Sequence, residues 1–321
     1  MEQPIPSTPD IGITAGPAVV QRSSAALTLL RLRRDPTALL ALLFILLLVL
    51  VAVFADAIAG WTGHDAISQY RETGLTPVGM PVGPGREFLM GTDQLGRDVL
   101  VRIAHGARVS LLVGVAAACL ASAIGVIVGM TAGYFGGWVD TLLGRLMDLI
   151  MSVPFLLCAL ALVSVFGPSL TLSICVIVFF SWTTIGRVIR AEAASLARRD
   201  FVQASRSLGA GNLSILVRDI LPNLSVPIII YTTMMIPNSI VFEATLSFLG
   251  LGIVPPTPSW GGMLADGATN SMYLVAWWMV LFPGLALLGS TLAFNIFGDA
   301  LRDALDPAGR RIRRQRRRAA P

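Results

Sequence analysis

Lysine is absent from this chain of 321 residues, so all 24 of its basic side chains other than histidine are arginines. A phosphate-binding loop of the Walker type needs a lysine that reaches the phosphates of the nucleotide. The chain therefore lacks that device for binding ATP. Any ATP hydrolysis linked to its function is expected on another chain.

Histidine and cysteine are also scarce, with two and three residues. His64 and His105 lie far apart, and no carboxylate or cysteine is spaced to complete a metal site with either of them. Cys119, Cys158 and Cys175 lie inside apolar runs, without paired or ligand spacing, and we interpret them as small core residues. No catalytic triad, nucleophile elbow or zinc signature is present. The sequence thus predicts a non-enzymatic protein with no metal site and no cofactor.

Charge of either sign is sparse, because only 13% of the residues are charged while 55% are hydrophobic. Soluble domains carry about 25% charged residues. Uncharged runs long enough to cross ~30 Å of hydrocarbon indicate membrane-spanning helices. The sequence predicts an all-α membrane protein with six spans, at about Thr37–Ala55, Val109–Ala132, Leu149–Phe166, Leu170–Ile189, Val226–Leu249 and Met272–Ile296.

Three glycines in the second predicted span recur at intervals of four residues: Gly125, Gly129 and Gly133. Small residues at this spacing let the backbone of a second helix approach closely in a membrane. We therefore predict that a neighbouring helix packs on this face of the span.

Arginines are distributed unequally over the two sides of the predicted membrane. An even number of spans places both termini on one side, and that side holds 19 of the 24 arginines. The other five lie in one long segment, at Arg71, Arg86, Arg97, Arg102 and Arg108. The positive-inside rule predicts that both termini are cytoplasmic. The net charge of +5 is thus explained by membrane orientation, and we expect no nucleic-acid partner.

Both ends of the chain differ in composition from the apolar middle. Residues 1–30 are rich in Pro, Ser, Thr and Ala and are predicted to be a disordered cytoplasmic tail. Residues 31–307 form the predicted transmembrane domain. Residues 308–321 form a basic cytoplasmic tail, which either contacts anionic membrane lipids or is simply solvated.

The polar stretch Arg190–Pro222 separates two of the predicted spans. Two amphipathic pieces flank a glycine turn, where Gly209 suits a left-handed residue that ends a helix. Asn212 is expected to cap the following helix, and Pro222 to limit it. The apolar face of this loop needs a cover. Two interpretations stay open: a helix that lies on the lipid headgroups, or a docking helix that enters a cleft in a soluble partner.

Four segments together resemble one known family: Gly91–Gly114, Ala132–Asp148, Leu246–Leu264 and Gly298–Pro307. Their sequences are similar to those of the inner-membrane permeases of binding-protein-dependent ABC importers, in the dipeptide, oligopeptide and nickel branch. Within that branch the chain resembles the C-type subunit. The resemblance implies the fold of a type I ABC importer permease, with six transmembrane helices and a cytoplasmic coupling-helix loop.

The coupling motif of that family reads Glu-Ala-Ala, three residues, Gly, nine residues, Ile, one residue and Leu-Pro. By position it falls on Gln203, Ala204, Ser205, Gly209, Asp219, Leu221 and Pro222. The chain departs from the motif at three of these positions, with Gln for Glu, Ser for Ala and Asp for Ile. Phe201, Val202 and Leu208 supply the apolar face expected to contact an ATPase. A salt bridge from the usual glutamate is in doubt, since Gln203 offers only a neutral amide.

The resemblance further implies the partners and the function. The chain would form half of the translocation pathway of an ATP-driven importer of di- or oligopeptides in the bacterial inner membrane. Its partners would be a homologous second permease, two ATP-binding subunits and an extracytoplasmic substrate-binding protein. Import of nickel or another small solute is an alternative. An ion-gradient-driven secondary transporter is another, but it would need charged groups near the bilayer midplane.

A Pro/Gly-rich loop at Pro255–Leu264 is predicted to lie on the extracytoplasmic face. Trp260 is flanked by small residues, and its indole is expected to be accessible. Trp260, Pro256 and Pro258 are the candidate contact residues of this loop. We consider two interpretations of this loop: a contact for the substrate-binding protein, and a plain structural corner.

Overall fold

The computed structural model describes residues 32–305, so the tails predicted at residues 1–30 and 308–321 lie outside the described part. The helices of this part are, in chain order, α1 (Pro36–Val53), α2 (Ala55–Thr62), α3 (Val99–Phe135), α4 (Gly137–Ser152), α5 (Phe155–Phe166), α6 (Leu170–Leu196), α7 (Asp200–Ser207), α8 (Asn212–Phe248), α9 (Trp260–Ala268) and α10 (Trp278–Leu305).

Five of these helices are long and apolar enough to cross a membrane by themselves: α1, α3, α6, α8 and α10. The sixth predicted span is broken. The helices α4 and α5 pass the same test only as a pair, and they meet at an angle of 81°. Pro154 explains the break, because a proline restrains the preceding residue to extended backbone, and Val153 has φ −84° and ψ 125°. The continuous helix predicted from Leu149 is therefore wrong, and the six-span count holds only if the bent pair is one span.

Side chains that accept hydrogen bonds from free backbone N–H groups set where several helices begin. The carboxylate of Asp98 accepts from Leu100 N at 2.8 Å and from Val101 N at 3.3 Å, so α3 begins at Val99, before the start of the predicted span Val109–Ala132. Ser169 caps α6 in the same way. Such caps satisfy N–H groups that have no partner within the helix.

The predicted close approach of a helix to the glycine face is confirmed, and the neighbour is α6. A Cβ atom added at Gly129 would collide with the carbonyl oxygen of Gly186, and one at Gly133 with that of Arg190. The two helices run parallel, since successive glycines of α3 meet successive turns of α6. Together with α8 they enclose the largest hydrophobic core of the described residues.

The interpretation of the cysteines as core residues is wrong. Cys119 and Cys175 are exposed and Cys158 is partly exposed, all three on apolar helices. A membrane helix is apolar on every side, so the sequence pattern does not indicate which face is buried.

The direction of the helices divides the molecule into two ends. One end holds α7, together with the last turns of α3 and α6 and the last residues of α10. At the other end, the cap comprises residues 63–98 and α9. Arg108 in α3 donates through Nε to the carbonyl of Ala52 at 2.7 Å, which places the last turn of α1 near the cap. The described chain therefore begins and ends at the α7 end.

Candidate coupling site

The short helix α7 is closed by a Schellman motif. Gly209 has φ 82°, in the left-handed region. The N–H of Gly209 donates to Arg206 O at 3.0 Å, and the N–H of Ala210 donates to Ser205 O at 3.1 Å. These two bonds satisfy carbonyls that the end of the helix would otherwise leave free. The predicted glycine turn is confirmed.

One side of α7 packs on the helix bundle and the other is open. Val202 is fully buried in the core formed with α6 and the start of α8, so it is not available to a soluble partner, contrary to the prediction. Phe201 and Leu208 remain 44% and 88% exposed. Gln203 and Ala204 are exposed as well, and Ser205 is half-buried.

The exposed apolar surface continues beyond the turn. Leu213 is 75% exposed and Val217 49% exposed on the first turns of α8. With Phe201 and Leu208 they form a group of four large apolar side chains at the α7 end, here called the coupling surface. Leu213 and Val217 both belong to the second amphipathic piece of the stretch Arg190–Pro222, but the family motif does not include them.

The amide of Gln203 has a partner within the chain. Its Nε2 donates to the carbonyl oxygen of Ala197 at 3.0 Å. Ala197 follows the last residue of α6, so its carbonyl is one of those that a helix end leaves without an internal partner. The side chain of Gln203 therefore ties α7 to the end of α6.

Tyr134, in the last turn of α3, holds the loop from the other side. Its hydroxyl donates to Asn212 Oδ1 at 2.8 Å, and the guanidinium of Arg206 lies 5.4 Å from the centre of its ring. Cation–π contacts of this kind occur within about 6 Å. Asn212 was expected to cap α8, but the N-cap position is Gly211, which has no side chain. Asn212 is instead the first residue of the helix, and its amide oxygen accepts from Tyr134.

The first turns of α8 contain a π-helix over Ile215–Ile220. The N–H of Leu221 donates to Leu216 O, five residues back, and Pro222 follows at once. A proline has no N–H and its ring crowds the carbonyl four residues earlier, so the wider π turn accommodates Pro222 without ending the helix. Pro222 was predicted to limit the preceding helix; it instead lies inside the continuous α8. Asp219 and Leu221 are half-buried, and the carbonyl of Asp219 accepts from Asn223 Nδ2 at 2.6 Å.

Two ion pairs join α4 to the last turns of α6. Arg190 donates to Asp140 through Nε at 2.5 Å and through Nη2 at 2.7 Å, and Arg187 Nη2 lies 2.5 Å from Asp148. The bidentate pair has the geometry in which arginine recognises a carboxylate best. The helix that carries the coupling loop is thus fixed to α3 by glycine contacts and to α4 by charge.

The cap contains a second polar network, at the opposite end of the molecule. Asp93 accepts from Arg97 Nε at 2.6 Å, and Arg102 Nε lies 3.4 Å from the same carboxylate. Arg97 Nη2 also lies 3.3 Å from Asp266 in α9. All three of Asp93, Arg97 and Arg102 are buried. These three residues lie in Gly91–Gly114, one of the segments that resemble the permease family, but the sequence alone did not indicate that they join residues 63–98 to α9.

The expectation of an accessible indole at Trp260 is wrong. Trp260 has no exposed surface, and its Nε1–H donates to the carbonyl of Ile103 at 3.2 Å. Pro258 is buried too, whereas Pro256 is exposed. The small neighbour Gly261 lies against the backbone of Ala244, so the small residues around the indole allow burial and do not expose it.

Glu243 lies near the cap end of α8, and it is fully buried. Its carboxylate accepts hydrogen bonds from Ser110 in α3 at 2.9 Å and from Ser247 at 2.7 Å. Serine hydroxyls from two helices therefore compensate the burial of this group. Glu243 joins α3 to α8 just below the cap.

Comparison with known proteins agrees with this architecture. Residues 125–311 match the family "Binding-protein-dependent transport system inner membrane component", and residues 23–75 match the "N-terminal TM domain of oligopeptide transport permease C". The first match spans more than half of the chain.

Named relatives cover most of the chain. A "Di/tripeptide transport system permease protein DppC" of Pseudomonas aeruginosa is 43% identical over 270 residues, 84% of this chain and 88% of that protein. A "Dipeptide transport system permease protein DppC" of Haemophilus influenzae is 40% identical over 275 residues, 86% of this chain and 92% of that protein. A "Glutathione transport system permease protein GsiD" of Escherichia coli is 40% identical over 277 residues, 86% and 88% of the two chains.

These matches do not favour an ion-gradient-driven secondary transporter. They agree with five apolar helices and a bent pair, and with the resemblance found in the sequence. The chain therefore belongs to the family of inner-membrane components of binding-protein-dependent transport systems, as a multi-pass permease subunit of an ABC transporter.

Proposed function

We propose that this permease forms half of the translocation pathway of an importer of di- or oligopeptides. A homologous permease would form the other half, two ATP-binding subunits would hydrolyse ATP, and an extracytoplasmic binding protein would deliver the peptide. The proposal is supported by the names of the relatives, which include di- and tripeptide permeases at about 40% identity over most of the chain.

The observation that carries the coupling role is the contrast between the two sides of the α7 loop. Its inner side is fixed to three helices through Val202, Gln203 and Tyr134. Its outer side presents the four apolar side chains of the coupling surface. An exposed apolar surface of this kind indicates an interaction site. A helix that is held rigidly by its own chain and has an exposed apolar face is suited to dock in a cleft of an ATPase. The remaining motif residues Ala204, Ser205, Gly209, Asp219, Leu221 and Pro222 would shape this lever.

Orientation follows from the arginines. The end that carries α7 also carries the arginine-rich loop and both ends of the described chain, so we place it in the cytoplasm. The cap then faces the binding protein. In the loop before α9 the exposed Pro256 is the better contact residue, and Trp260 and Pro258 support the loop from within.

The test is co-expression of the chain with a candidate second permease and candidate ATP-binding subunits from the same organism, followed by purification through a tag on this chain. Retention of an ATPase and a second permease, and ATP-dependent uptake of dialanine into proteoliposomes with the binding protein, would support the proposal. Uptake of Ni²⁺ and not of peptides would refute the peptide assignment. Purification of the chain alone, with uptake driven by an ion gradient, would refute the whole proposal.

A further inference from the structure

A cavity of about 350 Å³ lies at the cap end, between the end of α8, the loop that follows it and α9. Its size is within the range of small-molecule sites in proteins, about 300–1,000 Å³. The wall is mostly apolar and is supplied by Phe248, Leu249, Ile253 and Val254, while Pro168 closes it from the loop before α6. Two charged residues of opposite sign, Arg102 and Asp266, also line it.

The carboxylate of Asp266 is incompletely paired. Its side chain is 43% exposed, and its two ion pairs are long, 3.3 Å to Arg97 Nη2 and 4.0 Å to Arg102 Nη2. Burial raises the pKa of the Asp266 carboxyl, although Arg102 and Arg97 oppose that effect. The two arginines therefore compensate the lost hydration of this carboxylate only in part, which leaves it able to accept a further donor from the cavity.

Arg102 has unused donor capacity. It is almost completely buried, and its Nη1 donates to the carbonyl of Ala66 at 3.1 Å. Its Nε lies 3.4 Å from the carboxylate of Asp93 but makes no hydrogen bond within residues 32–305. A buried donor without a partner costs free energy, so a ligand oxygen at this wall would be favoured.

The two serine hydroxyls on the same wall are already committed. Ser247 donates to Glu243 at 2.7 Å, and Ser259 accepts from the N–H of Gly262 at 3.1 Å. Besides the hydroxyl of Thr257, Asp266 and Arg102 therefore supply the polar groups, both charged, that distinguish one ligand from another. With two arginines within 4.0 Å of Asp266, a bare divalent cation would meet two positive charges. A singly charged ammonium group, which also donates hydrogen bonds, fits better.

We infer that this cavity is a transient binding site for the transported peptide, with the peptide's α-ammonium group on Asp266 and a backbone carbonyl oxygen on the Arg102 side. The apolar wall accepts the side chains. This inference rests on the proposed peptide import and deepens it, since it names the permease residues that receive the peptide. Recognition of the ammonium group and backbone suits peptides of different sequence.

The test is photo-crosslinking on the assembled transporter in nanodiscs of phosphatidylcholine and phosphatidylglycerol, which carry no primary amine. The probe is alanyl-photoleucine, and adducts are mapped by mass spectrometry. We expect adducts within residues 248–257. Dialanine should suppress them at a concentration about tenfold lower than N-acetyl-dialanine does, because acetylation removes the charge-assisted contact.

Variants locate the ammonium site. Asp266→Asn should lower the adduct yield about tenfold, and Asp266→Glu should retain most of it. Asp56→Asn is the matched control, since Asp56 is an exposed carboxylate paired with Arg108 at the cap end but does not line the cavity, and it should label like the wild type. If Asp266→Asn does not assemble with its partners, the competition between dialanine and N-acetyl-dialanine on the wild-type transporter decides whether labelling depends on the ammonium group of the peptide.

Three results would overturn the inference: adducts only outside residues 248–257, equal competition by the acetylated peptide, or unchanged labelling of an assembled Asp266→Asn transporter. Loss of the adducts when phosphatidylethanolamine is added would assign the ammonium site to a lipid headgroup and would also overturn the inference.

Dialanine uptake by wild-type proteoliposomes separates the proposed peptide site from the proposed import function. Uptake without labelling refutes the site alone, and no uptake of any peptide refutes the import function.

Discussion

The hydroxyl of Tyr134 donates a 2.8 Å hydrogen bond to the amide oxygen of Asn212, and so joins the end of α3 to the beginning of α8 across the coupling loop. Arg206, on α7, lies over the same ring. One side chain thus touches both helical pieces of the loop. A force applied to the coupling surface would therefore reach α3 as well as α6 and α8.

Tyr134→Phe tests this link, because it removes the hydroxyl and keeps the ring beneath Arg206. We expect a loss of about 1 kcal/mol in the free energy of unfolding, the usual contribution of one neutral hydrogen bond. Peptide-stimulated ATP hydrolysis and peptide uptake should also become less tightly coupled. Asn212→Ala should have the same effect, and the double variant should be no worse than either single one. Additive losses would show that the two side chains act independently.

Gly209→Val tests the turn that ends α7. A Cβ atom at this position meets no other atom, so the expected cost comes only from the left-handed backbone, about 1–2 kcal/mol for a residue with a side chain. The variant should insert in the membrane but lose ATPase subunits on purification. Gly209→Asn is the control, because asparagine tolerates this conformation better. Normal uptake by Gly209→Val would contradict the role of the turn.

Gly129→Ala tests the packing of α3 on α6. Its Cβ would meet the Gly186 carbonyl oxygen of the neighbouring backbone, which cannot move aside as a side chain can. Overpacking of this kind costs about 1–3 kcal/mol. Gly60→Ala is the matched control, since it lies in a helix with nothing within 4 Å of the added atom. Equal thermal unfolding midpoints for the two variants would exclude the tight contact.

Sequence patterns were informative where the chemistry is local. The turn at Gly209 needs positive φ, and the glycines at Gly125, Gly129 and Gly133 recur at the spacing of one helix face, so both features follow from residue type and spacing. The family resemblance added what spacing could not, namely the partners and the placement of the coupling motif on α7.

Burial within an apolar chain was much less predictable. Val202 and Phe201 are adjacent apolar residues on α7, yet one is fully buried and the other is 44% exposed, because packing against the start of α8 decides which side is covered. The prediction that the three cysteines are buried was wrong for the same reason. Trp260 looked accessible from its small neighbours, but those neighbours allow helix α8 to come close. These outcomes depend on contacts between segments distant in the chain.

Trp260→Ala tests the burial of the indole in the cap. Removal of a large buried aromatic side chain costs about 3–5 kcal/mol, so we expect a large fall in the thermal unfolding midpoint of the purified transporter. Trp260→Phe should cost less, since it keeps most of the buried surface and loses the hydrogen bond to Ile103. Trp61→Ala is the control for an exposed tryptophan, 75% exposed. Similar midpoints for Trp260→Ala and Trp61→Ala would contradict the buried position.

The amide of Gln203 is the place where this chain departs most clearly from the coupling motif, which has glutamate there. Gln203 Nε2 donates to the Ala197 carbonyl at the end of α6. A glutamate cannot donate, and its charge would lie at the negative end of the helix dipole, at a cost of about 0.3–1 kcal/mol beyond the lost hydrogen bond. We therefore expect Gln203→Glu to loosen α7 and to lower the amount of ATPase retained on purification.

Two further variants separate the internal hydrogen bond of Gln203 from its contact with the ATPase. Gln203→Ala removes the bond without adding charge, so it should retain more ATPase than Gln203→Glu does. Phe201→Ala should lower the amount of ATPase retained whether residue 203 is replaced by alanine or by glutamate. The reason is that a docked aromatic side chain contributes to binding largely by its burial. Stronger retention by Gln203→Glu than by the wild type would mean that a basic residue of the ATPase outweighs the internal bond. If Phe201→Ala and Gln203→Glu both leave retention and peptide-stimulated ATP hydrolysis unchanged, α7 does not couple this permease to its ATPase.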